Sequence, residues 1–336
     1  MFKRLFALLA TGLLVSMAAL AYASDDPVYP RQSVPVAEVE IRDTLGATTF
    51  FIRGTLPDSC DAVMWAYQWS NDALFIDLYR EIRPEVICAA VETPYQIVLP
   101  LQTLIDERVN AGEQFIMVIN NLMLRLDWQP RGTLPYSLSL SRGVVSVETV
   151  ARTADGVRLT GQMGCGYLIA RAHKDWATPE ANLYTVEAYL AVDPAMMCIA
   201  GFVPFDVNVP SDAPEQTSYA VNGFILPREF ITDPIGQIYS IMEMPVESVE
   251  STIAESFPPQ LRVTARGTTD GCDFPVQLVF EPILEGLPYI TARVARVVPL
   301  GIACPAVAVP FTVQGSLALP AADAGAYTLL VNGAQW

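Results

Sequence analysis

The chain has 336 residues, 36 of them acidic against 20 basic, a formal charge of −16 and a hydrophobic fraction of 52%. So acidic a chain repels phosphate backbones and anionic headgroups, which excludes nucleic acid and membrane surfaces from the expected partners. Abundant Leu, Val and Ile with little charge exclude disorder and suit buried, turn-rich β structure, with room for two or three domains.

At the N-terminus, Lys3 and Arg4 precede an apolar run from Leu5 to Leu20, and Ala21-Tyr22-Ala23 stands before Ser24. A basic start, an apolar stretch and an A-x-A site predict a secretory signal peptide over residues 1–23, cleaved after Ala23. An uncleaved anchor is the competing reading, since the run approaches the roughly 17 residues that a membrane helix needs. The small residues at the A-x-A site favour cleavage. Loss of Lys3 and Arg4 takes the formal charge to −18 and leaves Lys174 as the sole lysine. No later segment is long and apolar enough to span a bilayer, so no membrane insertion is expected after cleavage.

Beyond a tail at 24–33 the chain repeats itself. Cys88 is followed by Pro94-Tyr95, Cys198 by Pro204-Phe205 and Cys304 by Pro310-Phe311, the proline lying six residues after the cysteine in every copy. Upstream, a glycine-containing strand leads to a second cysteine: Gly54 to Cys60, Gly161 to Cys165, Gly267 to Cys272. These upstream cysteines recur at intervals of 105 and 107 residues, the size of an immunoglobulin-type sandwich. Each copy closes on an apolar strand and an asparagine turn, Asn120-Asn121, Asn222-Gly223 and Asn332-Gly333, residues that tolerate positive φ in hairpins.

Six cysteines allow 15 pairings. A self-contained repeat selects Cys60 with Cys88, Cys165 with Cys198 and Cys272 with Cys304, and export makes bridging plausible; six buried free thiols are the competing reading. The separations are too short for an antibody-type inter-sheet bridge, so each bond is expected to tie the turn after an early strand to the loop entering a later one.

Local patterns in the first copy predict strands near 34–41, 48–54, 62–69, 73–79, 94–100, 114–120 and 121–126, with a helical turn within 101–109. Seven short strands with frequent turns predict a β-sandwich. The expected layout is domain 1 at 34–126, a Pro/Gly-containing linker at 127–142, domain 2 at 143–240 and domain 3 at 241–336. The third copy stops soon after Asn332, so its last strand is expected to be short or missing, with an edge open to a partner strand.

The pattern Gly-x-x-x-Asp-Gly-Cys, then Cys-x5-Pro-Phe, then Tyr-x4-Asn-Gly resembles the disulfide-bearing immunoglobulin-like repeat modules of secreted bacterial proteins. The likeness covers nearly all of the chain beyond residue 23 and implies an all-β protein of three tandem immunoglobulin-like β-sandwich domains. It implies no particular activity. The second copy departs from it, with Gly164-Cys165-Gly166 where the others have an aspartate turn.

His173 is the only histidine, which removes multi-histidine metal sites and most histidine-based catalysis. It reads as a surface or inter-strand residue. The chain has no Gly-x-Ser-x-Gly, His-Glu-x-x-His, Cys-x-x-Cys or P-loop. Carboxylate neighbours such as Asp106-Glu107, or Glu247 with Glu250, are expected in so acidic a chain and read as a solvated face. Asp58 with Asp61, and Asp270 with Asp273, are too few for calcium without further donors. No catalytic residue, metal site or cofactor is expected.

The feature most suggestive of binding is Trp65-Ala66-Tyr67-Gln68-Trp69, whose alternating aromatics leave one face of a strand. Aligned on the cysteines, Trp65, Tyr67 and Trp69 match polar-leaning positions of the third copy and turn towards solvent. An alignment slipped by one residue makes them core instead. Expected is a non-enzymatic, secreted or cell-envelope binding or spacer protein for an extracellular protein or polysaccharide. The alternatives are a carbohydrate-binding protein using these aromatics and an inhibitor of an exported hydrolase.

Overall fold

The computed structural model describes residues 29–44, 47–59, 62–71, 73–83, 85–105, 109, 113–127, 137–175, 182–196, 201–213, 217–254, 256, 258–283, 288–319 and 327–336. The expected signal segment, Cys60, Asp61, Asp106, Glu107 and Cys198 lie outside these residues.

Each repeat is laid out on the same eight strands. The first holds β1 (Arg31–Ser33), β2 (Glu38–Thr44), β3 (Ala47–Leu56), β4 (Met64–Ser70), β5 (Ala73–Glu81), β6 (Thr93–Pro100), β7 (Gln114–Ile119) and β8 (Leu122–Asp127). The second holds β9 (Ser137–Gly143), β10 (Val145–Arg152), β11 (Gly156–Met163), β12 (Tyr167–Lys174), β13 (Leu183–Val192), β14 (Val203–Pro210), β15 (Ser218–Val221) and β16 (Phe224–Ile225). The third holds β17 (Ile238–Glu243), β18 (Val246–Ala254), β19 (Gln260–Thr269), β20 (Val276–Phe280), β21 (Tyr289–Pro299), β22 (Val309–Ala318), β23 (Thr328–Val331) and β24 (Ala334–Gln335). The strands expected in the first copy are present, but the first begins at Glu38 as β2, residues 34–37 are not strand, and β1 lies in the expected tail at 24–33. The expected helical turn is Leu101–Ile105. In every repeat the second, third and sixth strands form a three-stranded layer, and the others pair in a second layer where the fifth lies parallel to the seventh.

The expectation of three tandem immunoglobulin-like β-sandwich domains is corrected at the repeat boundaries. In a string of separate sandwiches each sheet ends inside its own repeat. Here β8 pairs with β9, from Met123↔Leu140 to Leu126↔Ser137, and merges two second layers into one ten-stranded sheet. Further on, β10 pairs with β17, from Thr149↔Ser240 to Ala151↔Ile238, and merges layers of the second and third repeats into an eight-stranded sheet. The molecule is a β-solenoid of stacked coils, each coil packing on its sequence neighbour. An apolar cluster of Phe75, Ile116, Val118, Met123, Leu140, Ile169 and Tyr189 fills the first junction. Residues 137–142, expected as linker, belong to β9. Short alternating strands and a repeat of this length serve a coil as well as a sandwich; pairing across the boundary, which no local pattern encodes, separates the two.

The repeated motifs have repeated physical causes. Asn120, Asn222 and Asn332 sit at φ of 49°, 46° and 47° in the turn after the seventh strand. Their side chains staple the fifth strand: the N–H groups of Leu78, Ala188 and Val294 donate to the Asn Oδ1 atoms at 2.8 Å. In coils one and three the amide nitrogen also donates to the crossing first strand, to Val34 O at 2.7 Å and Met244 O at 2.9 Å. Among the described residues the second coil makes no such bond to its crossing strand: the Asn222 amide donates to Ala188 O at 3.0 Å. Gly54, Gly161 and Gly267 lie directly opposite Tyr95, Phe205 and Phe311. The aromatic ring and a carbonyl of the crossing strand occupy the space that a Cβ would need.

The missing aspartate turn of the second copy has a partner. Arg296, 1% exposed, donates to Asp270, and Arg80 donates to Asp58 at 2.6 Å. The shared pairing of the fifth and seventh strands places Leu190 where Arg80 and Arg296 stand. Met163, two residues before Cys165, takes the aspartate's place, and both side chains join the apolar core of the second coil. Cation and anion have been exchanged together, the substitution that buried ion pairs tolerate. The same pairs occupy Asp58 and Asp270, one aspartate of each candidate calcium turn.

Cys272 and Cys304 form a disulfide between the turn after β19 and the loop entering β22, with Cα atoms 5.0 Å apart. Cys88 and Cys165 are also disulfide-bonded, and no described cysteine is free. Closing a loop of this length is worth about 4 kcal/mol in the chain-entropy model. Blocking thiols without reductant is therefore expected to leave the intact mass unchanged, whereas Cys272→Ser with Cys304→Ser lowers stability by about 3–4 kcal/mol in urea unfolding. The coupled exchange gives a second test. Asp58→Ala is expected to cost about 3 kcal/mol by stranding Arg80, whereas Asp58→Met with Arg80→Leu stays within about 1 kcal/mol of the wild type. Equal losses in the single and double variants would contradict the pairing.

Candidate functional site

Along β12, Ala170 and Ala172 turn into the core of the second coil, so Arg171 and His173 turn out towards the first. Arg171 stands opposite Glu187 on β13, and Ile169 stands opposite Tyr189. The facing residues of the first coil come from β5, where Phe75 belongs to the apolar junction and Asp77 and Tyr79 lie beyond it. The junction is thus dry at the Phe75–Ile169 end. At the other end it opens into a cleft of about 340 Å³ whose walls include Arg31, Arg142, Arg171, His173 and Lys174.

The charges in this cleft are ordered. The Arg171 guanidinium donates to Asp77 Oδ1 at 2.8 Å across the junction and to Glu187 Oε2 at 3.3 Å, and it lies over the Phe75 ring at 4.7 Å. His173 Nδ1 is 3.1 Å from Lys174 O, and its Nε2 is buried, has no hydrogen-bond partner and stands 3.8 Å from Glu187 Oε2. Arg142 lies over the Tyr189 ring at 4.0 Å and makes no ion pair or hydrogen bond among the described residues. Burial works to raise the Glu187 carboxyl, but His173, Arg171 and Arg142 together hold it well below the usual carboxylate range. Burial pushes the Tyr189 phenol up to about 12. Four permanent cations line the cleft with the carboxylates Asp77, Asp175 and Glu187, and Arg31 also pairs with Glu81 at 3.9 Å. That arrangement suits an anion.

The aromatics expected to bind ligand are elsewhere. Trp65 and Tyr67 are 40% and 44% exposed, with rings stacked at 6.1 Å between centroids. Trp69, on the same face, is half-buried: its Nε1 donates to Leu104 O at 2.9 Å and its ring packs on Phe115 at 5.6 Å. Strand pairing matches Met64, not Trp65, with Gln277, because these residues face equivalent positions on β5 and β21. The cysteine-based alignment was therefore one residue out. Opposite faces of β4 serve different ends. Gln68 and Ser70 donate to Ala172 O and Ala170 O of the second coil at 3.1 and 2.8 Å, while the aromatics point away from the junction.

The four described cysteines mark disulfides, not a ligand site. Asp270, Cys272 and Cys304 come close together, but both sulfurs are spent in the disulfide. Sequence reasoning passed over His173 as an inter-strand residue. It is one, and it also lines the cleft; its adjacency to the lone late lysine was the available signal.

No protein-family model, curated protein or solved structure matches this chain.

Glu187 tests the electrostatics. A carboxyl held below its unfolded value adds stability that is present above that value and lost as the pH falls. Glu187→Gln is expected to cost about 2 kcal/mol at pH 7, less than a fully buried pair because the side chain keeps 28% exposure. The difference from wild type should shrink in denaturation curves as the pH drops below about 4.

Proposed function

We propose that this is a non-enzymatic extracellular binding protein that holds an anionic ligand in the cleft between its first and second coils. One observation carries the reading: in a chain of charge −16, the only histidine, the only lysine other than Lys3 and three arginines meet at one site. Two of the opposing carboxylates, Asp77 and Glu187, are tied to Arg171, and Arg142 makes no ion pair or hydrogen bond among the described residues. The export expected from residues 1–23 places this activity outside the cell, where the stacked coils serve as a stiff support. In a cleft lined by one excess sign of charge, low-dielectric walls concentrate counter-ions.

Calorimetry of the purified protein with acetate, phosphate and sulfate tests the proposal. At least one of these anions should bind with an affinity that falls at least tenfold in Arg142→Ala and weakens as salt is raised. No binding by any anion at low ionic strength would sink it.

The stacked, exposed pair of Trp65 and Tyr67 supports a second reading, a platform for sugar rings. On a glycan array, binding lost in Trp65→Ala and Tyr67→Ala would establish this reading, and an empty array would dismiss it.

A further inference from the structure

A second cavity adjoins the first. It has a volume of about 260 Å³, lies where the second coil meets the third, and shares Arg142, Glu187 and Tyr189 with the charged cleft. The rest of its lining is largely apolar: Val144, Phe224, Val279, Phe280 and Pro282 contribute from both coils. Its carboxylate from the third coil, Glu281, is pushed up by burial. Its arginine from that coil, Arg293, is tied to Glu243 at 3.2 Å. Arg142 is the cation that both cavities share, and among the described residues it makes no ion pair or hydrogen bond.

The second cavity is the counterpart of the charged cleft one coil on: strand pairing sets Arg142, Val279, Glu281 and Arg293 where the first junction has Arg31, Arg171, His173 and Glu187. In coils one and three the amide of the turn asparagine donates to the crossing strand, at Val34 O and Met244 O. Among the described residues the second coil lacks that bond, and Asn222, Val144 and Val145 all line the second cavity. Next to it, Gly223 at φ +86° leaves room for Val279 of the third coil. The coil that departs from the other two in its aspartate turn departs here as well.

We infer that the ligand is a carboxylate with an apolar body, an aromatic ring or short acyl chain, whose head group is held at Arg142 and whose body fills the second cavity. This inference rests on the anion-binding reading and names the class of ligand. A charged head alone would use the first cavity and leave apolar walls wet; a neutral apolar molecule would leave Arg142 without a partner. Burying apolar surface in the second cavity adds affinity with each methylene.

The test compares acetate, 1-naphthoate, octanoate and 1-octanol by calorimetry at one pH and ionic strength. Naphthoate or octanoate is expected to bind at least tenfold more tightly than acetate, and octanol at least tenfold more weakly than octanoate. Val144 is 43% exposed at the mouth of the second cavity, so Val144→Trp narrows it without touching the core. That variant should erase the advantage of the long carboxylates while leaving acetate and phosphate binding unchanged, and Val144→Ser should reduce the advantage in part. Unfolding midpoints equal to wild type in both variants exclude misfolding as the cause. If acetate binds as tightly as the long carboxylates, or octanol as tightly as octanoate, the inference is overturned while the charged cleft stands. If no anion binds, both readings fall.

Discussion

An exposed strand edge carries unpaired N–H and C=O groups that water, a neighbour or an aggregate will satisfy, and the architecture follows from how each coil covers its last edge. In the first coil the edge strand β8 is long, residues 137–140 of β9 lie against it and the rest of β9 pairs with β13, so one sheet runs through the junction. In the second coil β16 has only two residues, and a side chain replaces the strand: Gln277 of β20 accepts from Ile225 N–H and donates to Ile225 O, both at 2.8 Å. The next coil is then joined through β10 and β17, in the other layer. Two ways of covering an edge give two different junctions, and both cavities lie at those junctions.

Around these junctions the polar groups fall into two kinds. The asparagine staples and the Arg80–Asp58 and Arg296–Asp270 pairs are satisfied within one coil and recur because the same backbone crossing recurs. The Arg171–Asp77 bridge joins two coils and has no counterpart where Leu190 and Met163 have replaced an ion pair. The second coil has given up a buried charge pair inside itself while carrying charges on the face turned to its neighbour. Such a face, half dry at Phe75 and Ile169 and half charged at Arg171 and His173, binds the coils together and still leaves an opening.

Much of the fold was legible residue by residue. The strand limits in the first copy, the helical turn, the asparagine turns and the Cys272–Cys304 bond all follow from short-range pattern or repetition. The aromatic strand was legible as a strand but not as a surface. Counting from the cysteine ignored a one-residue difference in the turn, and in a strand one residue reverses the face. The cleft was not legible as a site, because Arg31, Asp77, Arg142, Arg171 and Glu187 come from five strands of two coils and share no local motif.

By itself the sequence determined short strands, seven of them read in the first repeat, where the repeats turn, and which cysteines belong to one repeat. These depend on alternation, backbone freedom and spacing, all of which act over a few residues or recur with the repeat. Tertiary structure alone decided that the repeats are coils of one solenoid rather than separate sandwiches, and that the sole histidine and the arginines converge. The physical reason is that a strand's outer edge carries no record of its partner. The choice of β9 for β8 and of β17 for β10 emerges only when the long-range packing of Phe75 on Ile169 and the bridge from Arg171 to Asp77 are satisfied together.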